Sequence, residues 1–294
     1  MNYYKWIDKN TTDLKGKTVA ISGATGGIGI WVCDYLAYLG ADIICLDRNA
    51  QKSNDLISNL KVKYPTLNAK HITVDLENFN QVKEVTEQLK KIDIDHLILN
   101  AGAYKIPRHK CNTGFDNVFQ INFVSPYYIA RELALQIKGR NGRVVAVSSI
   151  AHNYSKLNIK DIDFSNVSAS SLIYGNAKRF LTFSLFGLFK NDKTLSIVHP
   201  GITFTNITNH YPKFAFALIK HPMKIIFMKP KKAALNVISG VFNNCQCNQW
   251  IGPRLFNIWG MPKMQKLNTC SENEMSQICN ITEQIYKNIK DGNH

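Results

Sequence analysis

The chain is short of acid: 21 Asp and Glu stand against 36 Lys and Arg, a formal charge of +15. The excess favours anionic partners such as nucleotide phosphates, acidic lipid surfaces or nucleic acid, and a solvated lysine-rich surface accounts for it equally well. A recognition helix, a zinc module and an RNA-binding signature are all missing, so no nucleic-acid partner is expected. The seven cysteines (Cys33, Cys45, Cys111, Cys245, Cys247, Cys270 and Cys279) are odd in number and widely spread. That excludes a disulfide framework for a protein of this size and suits a reducing, cytoplasmic setting. Cys245-Gln246-Cys247 lacks the second ligand pair of a structural zinc site, so no metal is expected. Met1 to Lys17 has no apolar core, which argues against a secretory signal or a membrane span there. Fixed-period repeats and low-complexity linkers are also lacking.

What is present is a sizeable core, since 45% of the 294 residues are apolar. Short apolar runs recur at Thr18 to Ser22, Asp42 to Leu46, His71 to Val74, His96 to Leu99, Arg143 to Val147 and Leu195 to Val198. Helix-length segments separate them, with candidates at Ile28 to Leu39, Asn80 to Lys90, Gly114 to Ile137 and Tyr174 to Phe189. Parallel strands joined by crossover helices are implied, and with them a single Rossmann-type α/β fold: a doubly wound parallel sheet with helices on both faces.

The first run leads straight into Ser22-Gly23-Ala24-Thr25-Gly26-Gly27-Ile28-Gly29 and an apolar helix. Glycines at 23, 27 and 29 let a backbone turn sharply, approach a pyrophosphate and present N–H groups at a helix N-terminus. The second run ends at Asp47-Arg48, about 20 residues on, where a carboxylate can hold ribose hydroxyls. Asp47 favours NAD, whereas Arg48 would attract the 2′-phosphate of NADP; NAD is the favoured cofactor and NADP the alternative. The third run closes with Asp75-Leu76 and the fourth with Asn100-Ala101-Gly102, at the strand ends that line a cofactor crevice.

Tyr174 and Lys178 are four residues apart, hence on one helix face. A neighbouring cation stabilises a phenolate, so the pair could move a proton to or from a substrate oxygen. Tyr286 and Lys290 repeat the spacing in a polar terminal helix, so the pattern alone does not discriminate; only Tyr174 follows the strand end at Ser148-Ser149. Ser149 could orient the reacting oxygen, or simply close a turn. Asn122, set among Phe119, Ile121, Phe123 and Val124, is either part of an active site or a satisfied core asparagine.

Taken in order, Gly23-x-x-x-Gly27-Ile28-Gly29, Asp75, Asn100-Ala101-Gly102, Asn122, Ser149, Tyr174-x-x-x-Lys178 and Pro200-Gly201 resemble the classical short-chain dehydrogenase/reductase family, over residues 14 to 205. The resemblance implies a tetrad of Asn122, Ser149, Tyr174 and Lys178. Tyr174 would be the acid/base, Lys178 would lower its pKa and hold the ribose, Ser149 would position substrate and Asn122 would support a water relay. It also places Pro200, Gly201 and Thr205 beside the nicotinamide. Ser22 replaces the usual threonine. Ser148-Ser149-Ile150-Ala151-His152 resembles the retinol dehydrogenase-like subgroup, which acts on lipophilic alcohols and carbonyls, although Asp47 departs from its NADP-type pattern. The expected division is one catalytic domain: an extension (1–13), a cofactor-binding and catalytic core (14–205), a substrate lid (206–250) and a C-terminal region (251–294).

Between Tyr211 and Lys232 six lysines and no acid interleave with Phe214, Phe216, Ile225, Ile226 and Phe227. In the resembling family this region covers the substrate, so a small lipophilic alcohol or carbonyl is expected. The stretch is also a candidate for peripheral contact with an anionic membrane, and too short to span one. The helix Phe180 to Phe189 is apolar almost all round, either a subunit interface of a homodimer or tetramer or a plain core helix. The expected activity is NAD(P)-dependent alcohol–carbonyl interconversion; the alternative is a catalytically silent NAD(P)-binding sensor of the same fold.

Overall fold

A computed structural model describes residues 2–190, 192–203 and 227–292. Its centre is one eight-stranded sheet: β1 (Thr18–Ser22), β2 (Asp42–Asp47), β3 (Ala69–Thr73), β4 (His96–Leu99), β5 (Arg143–Val147), β6 (Leu195–Val198), β7 (Gln249–Leu255) and β8 (Trp259–Lys266). Strand order is β3-β2-β1-β4-β5-β6-β7-β8, parallel as far as β7, with β8 antiparallel at the edge. The chain winds one way from β1 to β3 and then the other way from β4. The crevice lies where that order reverses, between the C-terminal ends of β1 and β4. The expected runs at β1, β4, β5 and β6 coincide with strands, because fully buried parallel strands are written as continuous apolar stretches.

Among the described residues the α-helices are α1 (Tyr3–Asn10), α2 (Gly29–Tyr38), α3 (Ala50–Lys63), α4 (Phe79–Lys90), α5 (Asn117–Phe119), α6 (Ser125–Gly139), α7 (Ser170–Leu188), α8 (Pro230–Phe242) and α9 (Glu272–Asp291). Asn49 and Asn78 cap α3 and α4 through side-chain oxygens that accept from Lys52 N–H (2.9 Å) and Gln81 N–H (3.3 Å). α5 and α6 are joined by a π-helical turn, Gln120–Val124, within what the sequence suggests is one helix.

Of the two readings of α7, its burial within the chain favours the core helix: Phe180, Leu181, Phe183, Leu185 and Phe186 are buried where α9 crosses. A Cβ on Gly187 would lie 2.3 Å from Cys279 Sγ, and Ser184 and Thr282 share a 2.6 Å hydrogen bond. The stretch 206–250, expected as a lid, contains α8, whose Ala233, Leu235, Val237 and Ile238 are buried. A Cβ on Gly240 would meet the Val145 and Val198 side chains at 2.8 and 2.7 Å, so α8 packs directly on β5 and β6. Thr205 and most of the 211–232 segment lie outside the described residues. Among the described residues no helix is long and apolar enough to cross a membrane.

Candidate active site

β1 ends at Ser22 and the chain turns at Gly23 with φ 68°, where a Cβ would sit 2.8 Å from Ala101 Cα. Only glycine satisfies both the left-handed backbone and the close approach. A Cβ on Gly29 would lie 2.1 Å from Gly23 O, so the first turn of α2 is seated directly on the loop. From β4, Asn100 Nδ2 donates to Gly23 O (2.8 Å) and Ser22 O (3.2 Å), while Ala101 N–H donates to Ser22 Oγ (3.1 Å). Asn100 and Ala101 thus brace the glycine loop. Thr25, Gly26, Gly27 and Ile28 line a cleft of about 1000 Å³ at the N-terminus of α2, where N–H groups favour an anion.

Asp47 closes β2 at the same end. Its Oδ1 accepts from Thr25 N–H (3.3 Å) and Thr25 Oγ1 (3.0 Å), and its Oδ2 accepts from Ser53 Oγ (3.0 Å). The carboxylate is therefore engaged in holding the loop, which spacing alone does not reveal. Arg48 beside it is exposed, 4.0 Å from Glu77. Asp75 and Leu76 line the cleft, and Leu76 O accepts from Ser125 Oγ (2.7 Å) and Gln120 Nε2 (3.2 Å).

The far wall comes from β5, α7 and the chain after β6. Ser149, Tyr174, Lys178, Pro200 and Gly201 all open onto the same cleft. Ser149 and Tyr174 face each other within this cleft. Lys178, buried one helical turn later, donates from Nζ to Val147 O (2.8 Å) and lies 5.7 Å from the centre of the Tyr174 ring. Burial pushes the Tyr174 phenol up to about 12, opposed by the polar Ser149 side chain, and pushes Lys178 down to about 8. At neutral pH the phenol is a proton donor and the lysine is charged. Asn122 lies in the π-helical turn, a feature that often marks functional sites. Its Nδ2 donates to Ala103 O and Val118 O, both 2.8 Å. Its Oδ1 is buried, without a hydrogen-bond partner among the described residues, and a Cβ on Gly102 would fall 3.0 Å from it and 3.7 Å from Lys178 Nζ. Asn122 and Lys178 therefore flank the bare backbone of Gly102.

The second tyrosine–lysine pair is elsewhere. Tyr286 hydrogen-bonds Glu132, and Lys290 Nζ donates to both Tyr286 Oη (2.8 Å) and Glu132 (2.9 Å), a tie between α9 and α6. Sequence reasoning missed Tyr104, packed 5.2 Å from the Tyr174 ring, together with His199 on the cleft wall, where Phe227 of the expected substrate-covering segment also lies. Their signals were adjacency to Asn100-Ala101-Gly102 and to Pro200-Gly201. It also missed Arg179, which donates to His152 O (2.8 Å), pairs with Glu274 (2.7 Å) and so ties α9 to the strand end carrying Ser149.

Residues 17–159 match the family described as short chain dehydrogenase. Polyprenol dehydrogenase from Homo sapiens is 28% identical over 209 residues, 66% of this chain and 63% of that protein, so the chain spans less than two thirds of this relative's length. An uncharacterized protein from Mycobacterium paratuberculosis superposes with a TM-score of 0.73 at 20% identity, over 94% of this chain and 95% of the other. A 3-oxoacyl (acyl-carrier-protein) reductase from Agrobacterium tumefaciens with NADP bound has a TM-score of 0.60 at 16% identity, over 80% and 89% of the two chains. A short chain dehydrogenase/reductase from Burkholderia phymatum in complex with NAD has a TM-score of 0.59 at 17% identity, over 79% and 88%. The sequence over residues 17–159, just under half of the chain, is therefore similar to the short chain dehydrogenase family, and the fold is the one these solved structures share.

Proposed function

We infer that this chain is an NAD(P)-dependent oxidoreductase that interconverts a lipophilic alcohol and its carbonyl. The observation that carries the reading is the convergence of Ser149, Tyr174 and Lys178 on the cleft that also holds the Gly23–Gly29 loop. The residues suit a dinucleotide: Gly23 and Gly102 are positions where a side chain would intrude, and the N-terminus of α2 faces the same space. A nicotinamide dinucleotide, when bound, exchanges hydride with the substrate carbon.

The chain's own residues handle the proton. Tyr174 donates it to a carbonyl oxygen in reduction and accepts it in oxidation, where the charged Lys178 stabilises the phenolate. Ser149, on the same cleft as Tyr174, orients the same substrate oxygen. Asn122, at the backbone of Gly102 with its buried Oδ1 near Lys178, belongs to this constellation as a support for Lys178. Ile106, Ile121, Ile150 and Phe227 on the cleft wall favour an apolar substrate, in keeping with the polyprenol named for the human relative. Asp47 supports NAD by charge, and exposed Arg48 keeps NADP open.

The test is a fluorescence titration with NADH and NADPH, followed by turnover of long-chain alcohols and ketones. Tyr174→Phe should bind cofactor as wild type does and lose turnover by about 10²-fold or more, the scale of general acid–base catalysis. Tight binding with no turnover in the wild type would replace this reading with a silent nucleotide sensor. Absence of binding would refute both.

A further inference from the structure

From Lys193 to Ser271 the chain carries ten Lys and Arg residues and no Asp or Glu. Among the described residues, six of these cations lie together at one edge of the sheet: Lys229, Lys231 and Lys232 at the start of α8, Arg254 on β7, and Lys263 and Lys266 on β8. At the tip of the β7–β8 hairpin the charge is interrupted by apolar side chains. Phe256 is 84% exposed, Leu255 52% and Trp259 36%. Arg254 and Lys263 flank them on the two strands and are exposed.

The turn itself is unfavourable for what it displays. Phe256 and Asn257 have φ of 51° and 57°, in the left-handed region where Asn and Gly are at ease and a bulky aromatic is a rare outlier. Ile258 N–H donates to Leu255 O (3.0 Å) and closes the turn. A phenylalanine held in a costly backbone conformation and turned out to water has no folding role to explain it; such outliers collect at ligand and partner contacts. The turn also adjoins the cleft. His199 Nε2 hydrogen-bonds Asn257 O (2.9 Å), and a Cβ on Gly201 would meet Met228 Cε, Ile258 O and Pro253 Cγ at 2.8 to 3.0 Å. His199, Gly201 and Phe227 line the cleft wall.

We propose that the β7–β8 tip docks on an anionic lipid bilayer, with Phe256 and Leu255 entering the interface and Arg254 and Lys263 facing the head groups. An extended polyanion such as nucleic acid would satisfy the lysines but leave Phe256 in water; a bilayer satisfies both. Docking places the rim of the cleft against the membrane. The surface stands on its own observations and does not depend on the reaction assigned to the cleft.

The full chain is tested by sedimentation with vesicles of phosphatidylcholine, with and without about one third phosphatidylserine. Wild type should bind the anionic vesicles, release them at high salt and bind neutral vesicles far less. Phe256→Asn should weaken binding at least tenfold, while its melting temperature is equal to or above that of wild type because Asn accepts the left-handed backbone. Arg254→Glu should weaken binding as well. Failure of wild type to bind, or equal binding by Phe256→Asn, overturns the proposal. A lower melting temperature for Phe256→Asn also overturns it, by showing that the ring packs on this chain. Heparin binding insensitive to Phe256→Asn, with vesicles ignored, would assign the charge to polyanions instead.

Discussion

Acid should destabilise this protein through three histidines that the fold holds neutral. His96, His152 and His199 are 8%, 0% and 2% exposed. Burial lowers each from the ordinary 6.5 to about 4, against opposing contributions from Asp95 at His96, Ser149 O at His152 and Asn257 O at His199. Their folded pKa is depressed, so the unfolded chain binds more protons than the native one between about pH 6.5 and 4. Stability is full above 6.5 and falls as pH drops through that window. Integrating one such group from pH 7 to pH 5 gives a loss of about 2 kcal/mol, and three independent groups lose about 5–6 kcal/mol together. Against a total stability of roughly 5–15 kcal/mol this is a large fraction. The melting temperature should fall by on the order of 10 °C or more. Urea melts at pH 7, 6 and 5 measure the slope, and His152→Gln should remove about one third of it. Two of the three rings contact Trp250, with His199 stacked at 5.0 Å and His152 edge-on at 5.4 Å, so tryptophan fluorescence reports the region directly. A stability flat to within about 1 kcal/mol from pH 7 to 5, or histidine proton resonances titrating above pH 6, would refute the reasoning.

Gly23→Ala adds a Cβ 2.8 Å from Ala101 Cα to a residue at φ 68°. Left-handed strain alone costs about 1–2 kcal/mol, and calorimetry should find NADH and NADPH affinity reduced at least about tenfold with the fold intact. Asp47→Asn removes the carboxylate beside Arg48 and should raise the NADPH-to-NADH affinity ratio about tenfold, read by paired titrations; an unchanged ratio would show that Asp47 serves only Thr25 and Ser53. Arg179→Met breaks the pair with Glu274 and strands a carboxylate that is 22% exposed, so urea unfolding should show a loss of about 3 kcal/mol. Because Arg179 also holds His152 O, turnover should fall further than cofactor affinity does.

The strands and their order of appearance could be read from the chain because fully buried parallel strands must be written as unbroken apolar runs, as in Val144-Val145-Ala146-Val147. The glycine loop was legible for a similar reason: Gly23 and Gly29 stand where no side chain fits, and the constraint is local. The sequence also placed Tyr174 and Lys178 on one helix face, since a spacing of four has that meaning in any helix.

What lay outside local rules was decided by the tertiary structure. Tyr286 and Lys290 have the same spacing as Tyr174 and Lys178, and only packing sends one pair to Glu132 and the other to the cleft. Asp47 has the position of a ribose ligand, yet Thr25 and Ser53, 22 and 6 residues away, occupy its oxygens. The apolar surround of α7 was ambiguous until α9, from the far end of the described chain, was seen to cover it. Asn122 gains its meaning from the π-helical turn and from Gly102 opposite, and the exposed Phe256 from a hairpin turn beside Gly201. Each depends on residues distant in sequence meeting in space, and pairwise meetings of that kind leave no periodic trace along a single chain.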